Sequence, residues 1–182
     1  MAKLVSKVYG DALFEAAMER DMLSPIYEEV QLLQAILMEN PDLVQFLNHP
    51  QIIKEEKLQV VRNIFQEKVS GDVLGFLETV IEKGRQKELT KIFDYFVGRV
   101  KEYKKIGIVT VTSATALSDA QKEKVEAKIL ETTAFASLET SYTVDPAILG
   151  GLVIRIGDRV VDSSIKTRLS EIRRDLLKLQ LA

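Results

Sequence analysis

Two carboxylates, Asp158 and Asp162, stand four residues apart and are interleaved with Arg155 and Arg159. Paired carboxylates can share a metal ion or divide acid and base roles. Clustered arginines can hold an anion or an acidic helix. No third ligand accompanies the carboxylates. Asp158 follows Gly157 as a turn signal, and Asp162 or Ser163 can cap the helix that follows, so turn formation and capping account for both acids. The hydroxyls of Thr110, Thr112, Ser113 and Thr115 have no histidine partner, because the sole histidine, His49, lies beside Pro50 in a break between helical stretches. Ser163 and Ser164 suit a helix start better than a nucleophile. The chain has no cysteine, which removes disulfides, thiolate chemistry and cysteine metal sites. It carries neither a G-x-x-x-x-G-K-[ST] phosphate loop nor a G-x-G-x-x-G pattern. The reading is an interaction protein rather than an enzyme: no catalytic residue, no cofactor, no metal.

The elements that would position these residues divide at about residue 105. Before it the apolar period is helical. Leu4, Val8, Ala12 and Ala16 form one stripe with Val5, Tyr9 and Leu13 beside it. Gly10, Ala12 and Ala16 keep this helix slim, so that another helix could approach closely. Ser24-Pro25 reads as a cap with proline at the first helical position, and Asn40-Pro41 repeats the signal. A further stripe covers 54–67. Ser70-Gly71 breaks the chain before Val73, Phe76, Leu77, Val80 and Ile81, and Gly84 stops that helix. Leu89, Ile92, Phe93, Phe96, Val100 and Tyr103 carry a sixth. Short connections between six helices predict a compact bundle.

After Lys105 the period changes to two. Ile106 to Thr112 is mostly β-branched and reads as a strand. Ser118-Asp119-Ala120-Gln121 has capping-box spacing. Leu138, Thr140, Tyr142 and Val144 alternate as a second strand. Leu152, Ile154 and Ile156, then Arg159-Val160-Val161, flank the turn at Gly157-Asp158 as a hairpin. Gly150 and Gly151 permit a backbone shape that other residues resist. Ile165, Leu169, Ile172 and Leu176 mark the last helix. The fold class expected is therefore a six-helix all-α domain, 1–105, followed by a small α/β domain, 106–182.

The chain has 182 residues, 46% hydrophobic and 29% charged, with a formal net charge of -2. That balance argues against non-specific nucleic-acid binding. Lys101, Lys104 and Lys105 read as a solvated helix end. No apolar run reaches the length of a membrane span, and the amino terminus has no signal-peptide core. The expectation is a cytosolic protein, or one at the cytosolic face of a membrane.

The run from Val144-Asp145-Pro146 through Gly150-Gly151-Leu152-Val153-Ile154-Arg155-Ile156-Gly157-Asp158-Arg159-Val160-Val161-Asp162-Ser163-Ser164-Ile165, followed by Leu169, resembles the delta subunits of bacterial-type F1Fo ATP synthases. These are related to the mitochondrial oligomycin-sensitivity-conferring protein. Supporting matches are Tyr9-Gly10-Asp11-Ala12-Leu13-Phe14, Gly84-Arg85, and Ser113-Ala114 before Leu117-Ser118. The similarity covers essentially the whole chain. It departs at Ser163, where the family often has glycine, and at 132–136, which lacks a common glycine. The resemblance implies a peripheral-stalk subunit at the cytoplasmic face of the bacterial cell membrane, associated with the membrane only through the complex. It implies a helical domain that holds N-terminal helices of the F1 alpha subunits, through candidates Val5, Tyr9, Gly10, Ala12, Leu13, Ala16, Val73, Phe76, Leu77 and Val80. It implies an α/β domain that holds the C-terminus of the b subunit, through Ile165, Arg168, Leu169, Ile172, Arg173, Arg174 and Leu176. Gly150, Gly151, Gly157, Asp158 and Asp162 are the structural turns. Its task would be to hold the catalytic head still against rotor torque, with catalysis on other subunits. Two other readings stand beside it: a small anion-binding enzyme or regulator, which needs Arg155 and Arg159 to converge in a pocket with Asp158 or Asp162, and a helical adaptor of another complex.

Overall fold

The computed structural model describes the backbone of residues 2–180 and the side chains of residues 4–174. The chain divides into two compact units, Met1–Lys101 and Glu102–Ala182. Helical periodicity dominates the first and β-branched alternation opens the second, so a helical bundle precedes a small mixed α/β unit.

The bundle is built from α1 (Ala2–Glu19), α2 (Leu23–Glu39), α3 (Pro41–Asn48), α4 (Lys54–Phe65), α5 (Gly71–Glu82) and α6 (Leu89–Tyr103). Pro41 sits at the first turn of α3, where its missing N–H costs nothing. Asn40 is not a side-chain cap for α3; its amide donates instead to the Ile36 carbonyl at 2.8 Å and closes α2. Ser24-Pro25 departs from expectation. The helix begins at Leu23, two residues earlier, with Met22 as its flanking residue, so serine and proline lie inside the first turn. Proline is tolerated there for the same reason: the first N–H groups of a helix have no internal acceptor. Ser70 caps α5, accepting the Val73 N–H at 3.4 Å. Phe93, Phe96, Ile26, Leu33, Val73 and Val80 are among the fully buried side chains of one continuous core.

The second unit contains β1 (Ile106–Ser113), α7 (Asp119–Thr132), β2 (Ser137–Val144), β3 (Leu152–Ile156), β4 (Arg159–Asp162) and α8 (Ile165–Gln180). The sheet order is β2-β1-β3-β4. Strand β1 pairs in parallel with β2, through the α7 crossover, and antiparallel with β3. At the start of α7 the Gln121 side chain accepts the Ser118 N–H at 2.9 Å, as the capping-box spacing predicts. The period of two sends Val109 and Val111 to one face, where they pack with Ile129 of α7. Ile108 points to the other face and is exposed. This core is much smaller than that of the bundle, because one helix covers one side of four short strands.

Candidate docking surfaces

On α1 the four-residue spacing sorts the apolar side chains into two rows. Leu4, Val8, Ala12 and Ala16 are exposed, while Leu13 and Ala17 enter the core and Val5 and Tyr9 are half-buried. On α5 the matching spacing places Gly71, Gly75 and Thr79 outward. Together Ala12, Ala16, Gly75, Phe76 and Thr79 line an open groove of about 230 Å³. Arg20 and Asp72 also line it and form an ion pair. The Tyr9 ring meets Phe76 edge-on at 6.4 Å. With small residues on both helices, the groove admits the ridge of a third helix to close backbone approach.

Several residues singled out by apolar spacing fall outside this surface. Val73, Leu77 and Val80 are buried in the bundle core, because they occupy the inward side of a helix whose outward side carries the small residues, whereas Leu13 is buried and also lines the groove. Gly10 is buried too. A Cβ there would come within 2.4 Å of Tyr95 Cδ1, so this glycine admits the ring of α6 rather than an external helix. Tyr95 is held in place by donating to Asp11 Oδ1 at 2.9 Å. Arg20, Asp72, Gly75 and Thr79 are additions that apolar spacing does not supply. The spacing Gly71-x-x-x-Gly75-x-x-x-Thr79 is the signal that could have found Gly75 and Thr79, since it keeps one side of α5 small; Arg20 and Asp72 carry no such signal.

His49 is half-buried, and its Nδ1 accepts the Gln51 N–H at 3.3 Å. Its carbonyl accepts Lys57 Nζ at 2.7 Å. Lys57 is 4% exposed. Its spacing of four before Val61 places it on the inward side of α4, where the ammonium satisfies the end of α3.

In the second unit the expected turn residues occupy constrained positions. Gly151 has φ +80°, and a Cβ there would meet the Ser163 carbonyl oxygen at 2.3 Å. A Cβ on Gly150 would meet Ile165 Cδ1 at 2.7 Å. Gly157 has φ +55° and opens the two-residue turn between Ile156 and Arg159. Asp162 accepts the Ser164 N–H through Oδ1 at 2.8 Å and the Thr167 hydroxyl through Oδ2 at 2.7 Å. These bonds hold its carboxyl below the usual range, the Ser164 contacts contributing most. The cap itself is Ser164, whose Oγ accepts the Thr167 N–H at 3.2 Å. Asp162 braces that cap from outside the helix, and Ser163 does not cap it.

The paired-acid reading loses its basis here, because both oxygens of Asp162 are engaged in holding the helix start. The paired-arginine reading fails on register. Arg155 stands opposite Val160, and Arg159 opposite Ile156, so the two guanidinium groups leave opposite faces of the hairpin. Both are exposed. Among the described residues there is no group of three or more His, Asp or Glu able to hold a metal. No described helix is long and apolar enough to cross a membrane.

The apolar stripe of α8 is open. Ile165, Leu169 and Ile172 are 47%, 54% and 57% exposed. At 100° per residue Arg168 lies roughly 70° to one side of the stripe and Arg173 roughly 70° to the other, whereas Arg174 lies nearly opposite. The side chain of Leu176 lies outside the described residues.

The chain matches the family described as ATP synthase delta (OSCP) subunit over residues 5–176. It is 52% identical over 181 residues to ATP synthase subunit delta of Lachnoclostridium phytofermentans, covering 100% of both chains. It is 36% identical over 169 residues to that of Desulforudis audaxviator, covering 93% of this chain and 92% of the relative. In fold it is similar to a chain of the Toxoplasma gondii mitochondrial ATP synthase hexamer, with a TM-score of 0.71 at 21% identity, over 94% of this chain and 97% of that one.

Proposed function

The chain belongs to the ATP synthase delta (OSCP) subunit family, and from that premise we propose how its two units divide the work. It is a non-catalytic coupling subunit of the peripheral stalk. The helical unit, residues 1–105, docks an N-terminal helix of an F1 alpha subunit in the α1–α5 groove. The α/β unit, residues 106–182, docks the C-terminal end of the b subunit on α8. The chain works at the cytoplasmic face of the bacterial cell membrane and is held there through its partners.

The observation that carries this reading is that each unit leaves an apolar helical surface open: the small-residue groove on α1 and α5, and the Ile165–Leu169–Ile172 stripe on α8. A chain with two separate docking surfaces is suited to joining two bodies. Holding one partner raises the effective concentration of the other end of the assembly, so modest contacts combine into a firm joint. A helix laid in an apolar groove gains by area removed from water, and basic residues beside α8 favour a stalk end bearing carboxylates.

The test is a titration of the isotope-labelled full chain, first with a peptide of the alpha-subunit N-terminus and then with a C-terminal fragment of the b subunit. The alpha peptide is expected to shift amides of α1 and α5, and the b fragment those of α8, with both bound at once. Mutually exclusive binding, or alpha-peptide shifts confined to α2, α3 and α4, would overturn the division.

A further inference from the structure

Immediately before the glycine pair, Leu149 adopts φ +66° and is 63% exposed. It follows the 3₁₀ turn Pro146–Ile148, and its N–H donates to the Pro146 carbonyl at 3.0 Å. A position that closes a helical turn in the left-handed region ordinarily holds glycine or asparagine, because a Cβ there crowds the backbone. The sequence supplies glycine at the next two positions, where Gly150 makes room for Ile165 and Gly151 for the Ser163 carbonyl. At the strained position itself it supplies leucine, whose side chain enters no core.

The backbone that follows that leucine is bonded to the start of α8. The Gly150 carbonyl accepts the Ile165 N–H at 3.0 Å, which ties the backbone beside Leu149 to the first residue of the helix. Leu149 is thus an exposed apolar residue one position from the backbone bond that holds Ile165, the first exposed residue of the stripe. Lys166, Arg168 and Arg173 border the stripe, against Glu171 on the same segment. We propose that Leu149 is an anchor for the stalk partner, retained at a cost in intrinsic stability, and that the occupant is an amphipathic helix with an apolar edge flanked by carboxylates. This rests on the reading of α8 as the stalk-docking surface. It adds a contact residue that lies outside the helix and that apolar periodicity does not reveal.

Leu149→Gly separates the two effects. In the full chain it relieves the left-handed strain, offset in part by the greater freedom of glycine in the unfolded chain. Amide exchange in β1 and β3 is expected to slow by roughly two- to fivefold. The same change removes the anchor, and the Kd for a C-terminal fragment of the b subunit should rise roughly tenfold or more. Leu149→Met keeps the apolar bulk and should bind within about threefold of wild type. Affinity for an alpha-subunit N-terminal peptide is the internal control and should not change. Unaltered b-fragment affinity in Leu149→Gly would overturn the anchor, and so would faster exchange in β1 and β3. A wild-type chain that fails to bind the b fragment would overturn the stalk-docking reading beneath it, and the anchor with it.

Discussion

Replacing Gly75 with alanine should stabilise the bundle and weaken its hold on a partner helix, two effects of opposite sign from one methyl group. Gly75 lies inside α5, is exposed, and has nothing within 4 Å of the position a Cβ would take. Its carbonyl accepts the Thr79 hydroxyl at 2.8 Å, a bond that alanine leaves intact. Alanine in an exposed helix interior is favoured over glycine by about 1 kcal/mol. For a unit of this size that corresponds to a rise in Tm of about 4–8 °C. The same methyl projects into the groove lined by Ala12, Ala16 and Phe76. If a helix packs there at close approach, the methyl overfills the contact, at a cost of about 1–3 kcal/mol, or roughly 5- to 150-fold in Kd. Thermal unfolding by circular dichroism reads the first effect, and calorimetric titration with an alpha-subunit N-terminal peptide reads the second. A raised Tm with Kd unchanged within about twofold would refute docking against α5 at this residue. A lowered Tm would refute the claim that the methyl meets open space.

Gly10→Ala should act in the opposite direction on stability. Its Cβ collides with Tyr95, which cannot swing away without losing the bond to Asp11, so overpacking outweighs the helix gain and a net loss of up to about 2 kcal/mol should appear as a lower Tm. Asp162→Asn should fray the first turn of α8, seen as faster amide exchange at Ser164 and Thr167. Because the Asp162 pKa is depressed in the folded chain, its contribution is full above the unfolded carboxylate value of about 3.9 and is lost as pH falls through the folded value. Variant and wild type should therefore differ at neutral pH and converge in acid, and a difference that persists in strong acid would contradict the capping role. Arg173→Glu should weaken b-fragment binding severalfold at low ionic strength and less at moderate salt, whereas Arg174→Glu, on the far side of the helix, should not. Equal losses in both variants would assign the effect to overall charge rather than to the flank of the stripe.

The helices are legible in the sequence because an inward row of large apolar residues recurs every three or four positions, and the breaks at Asn40-Pro41 and Ser70-Gly71 interrupt it. What periodicity does not encode is the depth of each row. Gly10 and Ala12 look alike as small residues on one helix, yet they lie roughly 200° apart, one under Tyr95 and the other in the groove. Val73, Leu77 and Val80 read equally well as anchors or as core, and only the packing of α5 against the bundle decides for core. On α8 the ambiguity resolves the other way, because the four-stranded sheet takes its cover from α7 and leaves Ile165, Leu169 and Ile172 open. The capping serine is displaced by one residue, since Asp162 can brace a helix from outside and so allows Ser164 to serve as the cap. Leu149 leaves no trace in apolar periodicity: its left-handed backbone closes the turn Pro146–Ile148, just before the two glycines.

The place of β1 in the sheet has a mechanical consequence. This strand starts at Ile106, shortly after α6 ends at Tyr103, so any pull passed along the chain out of the bundle reaches β1 before the other strands. It is also bonded on both sides, over longer ladders than β3, to β2 from Ile106 to Ser113 and to β3 from Val109 to Ser113. Tension along a strand in that position loads its ladders in shear, with many bonds sharing the force at once. An edge strand such as β4, paired on one side only, would have fewer bonds to share the same load. The order β2-β1-β3-β4 thus puts the covalent entry to the second unit on the strand whose rupture requires the most bonds to fail together.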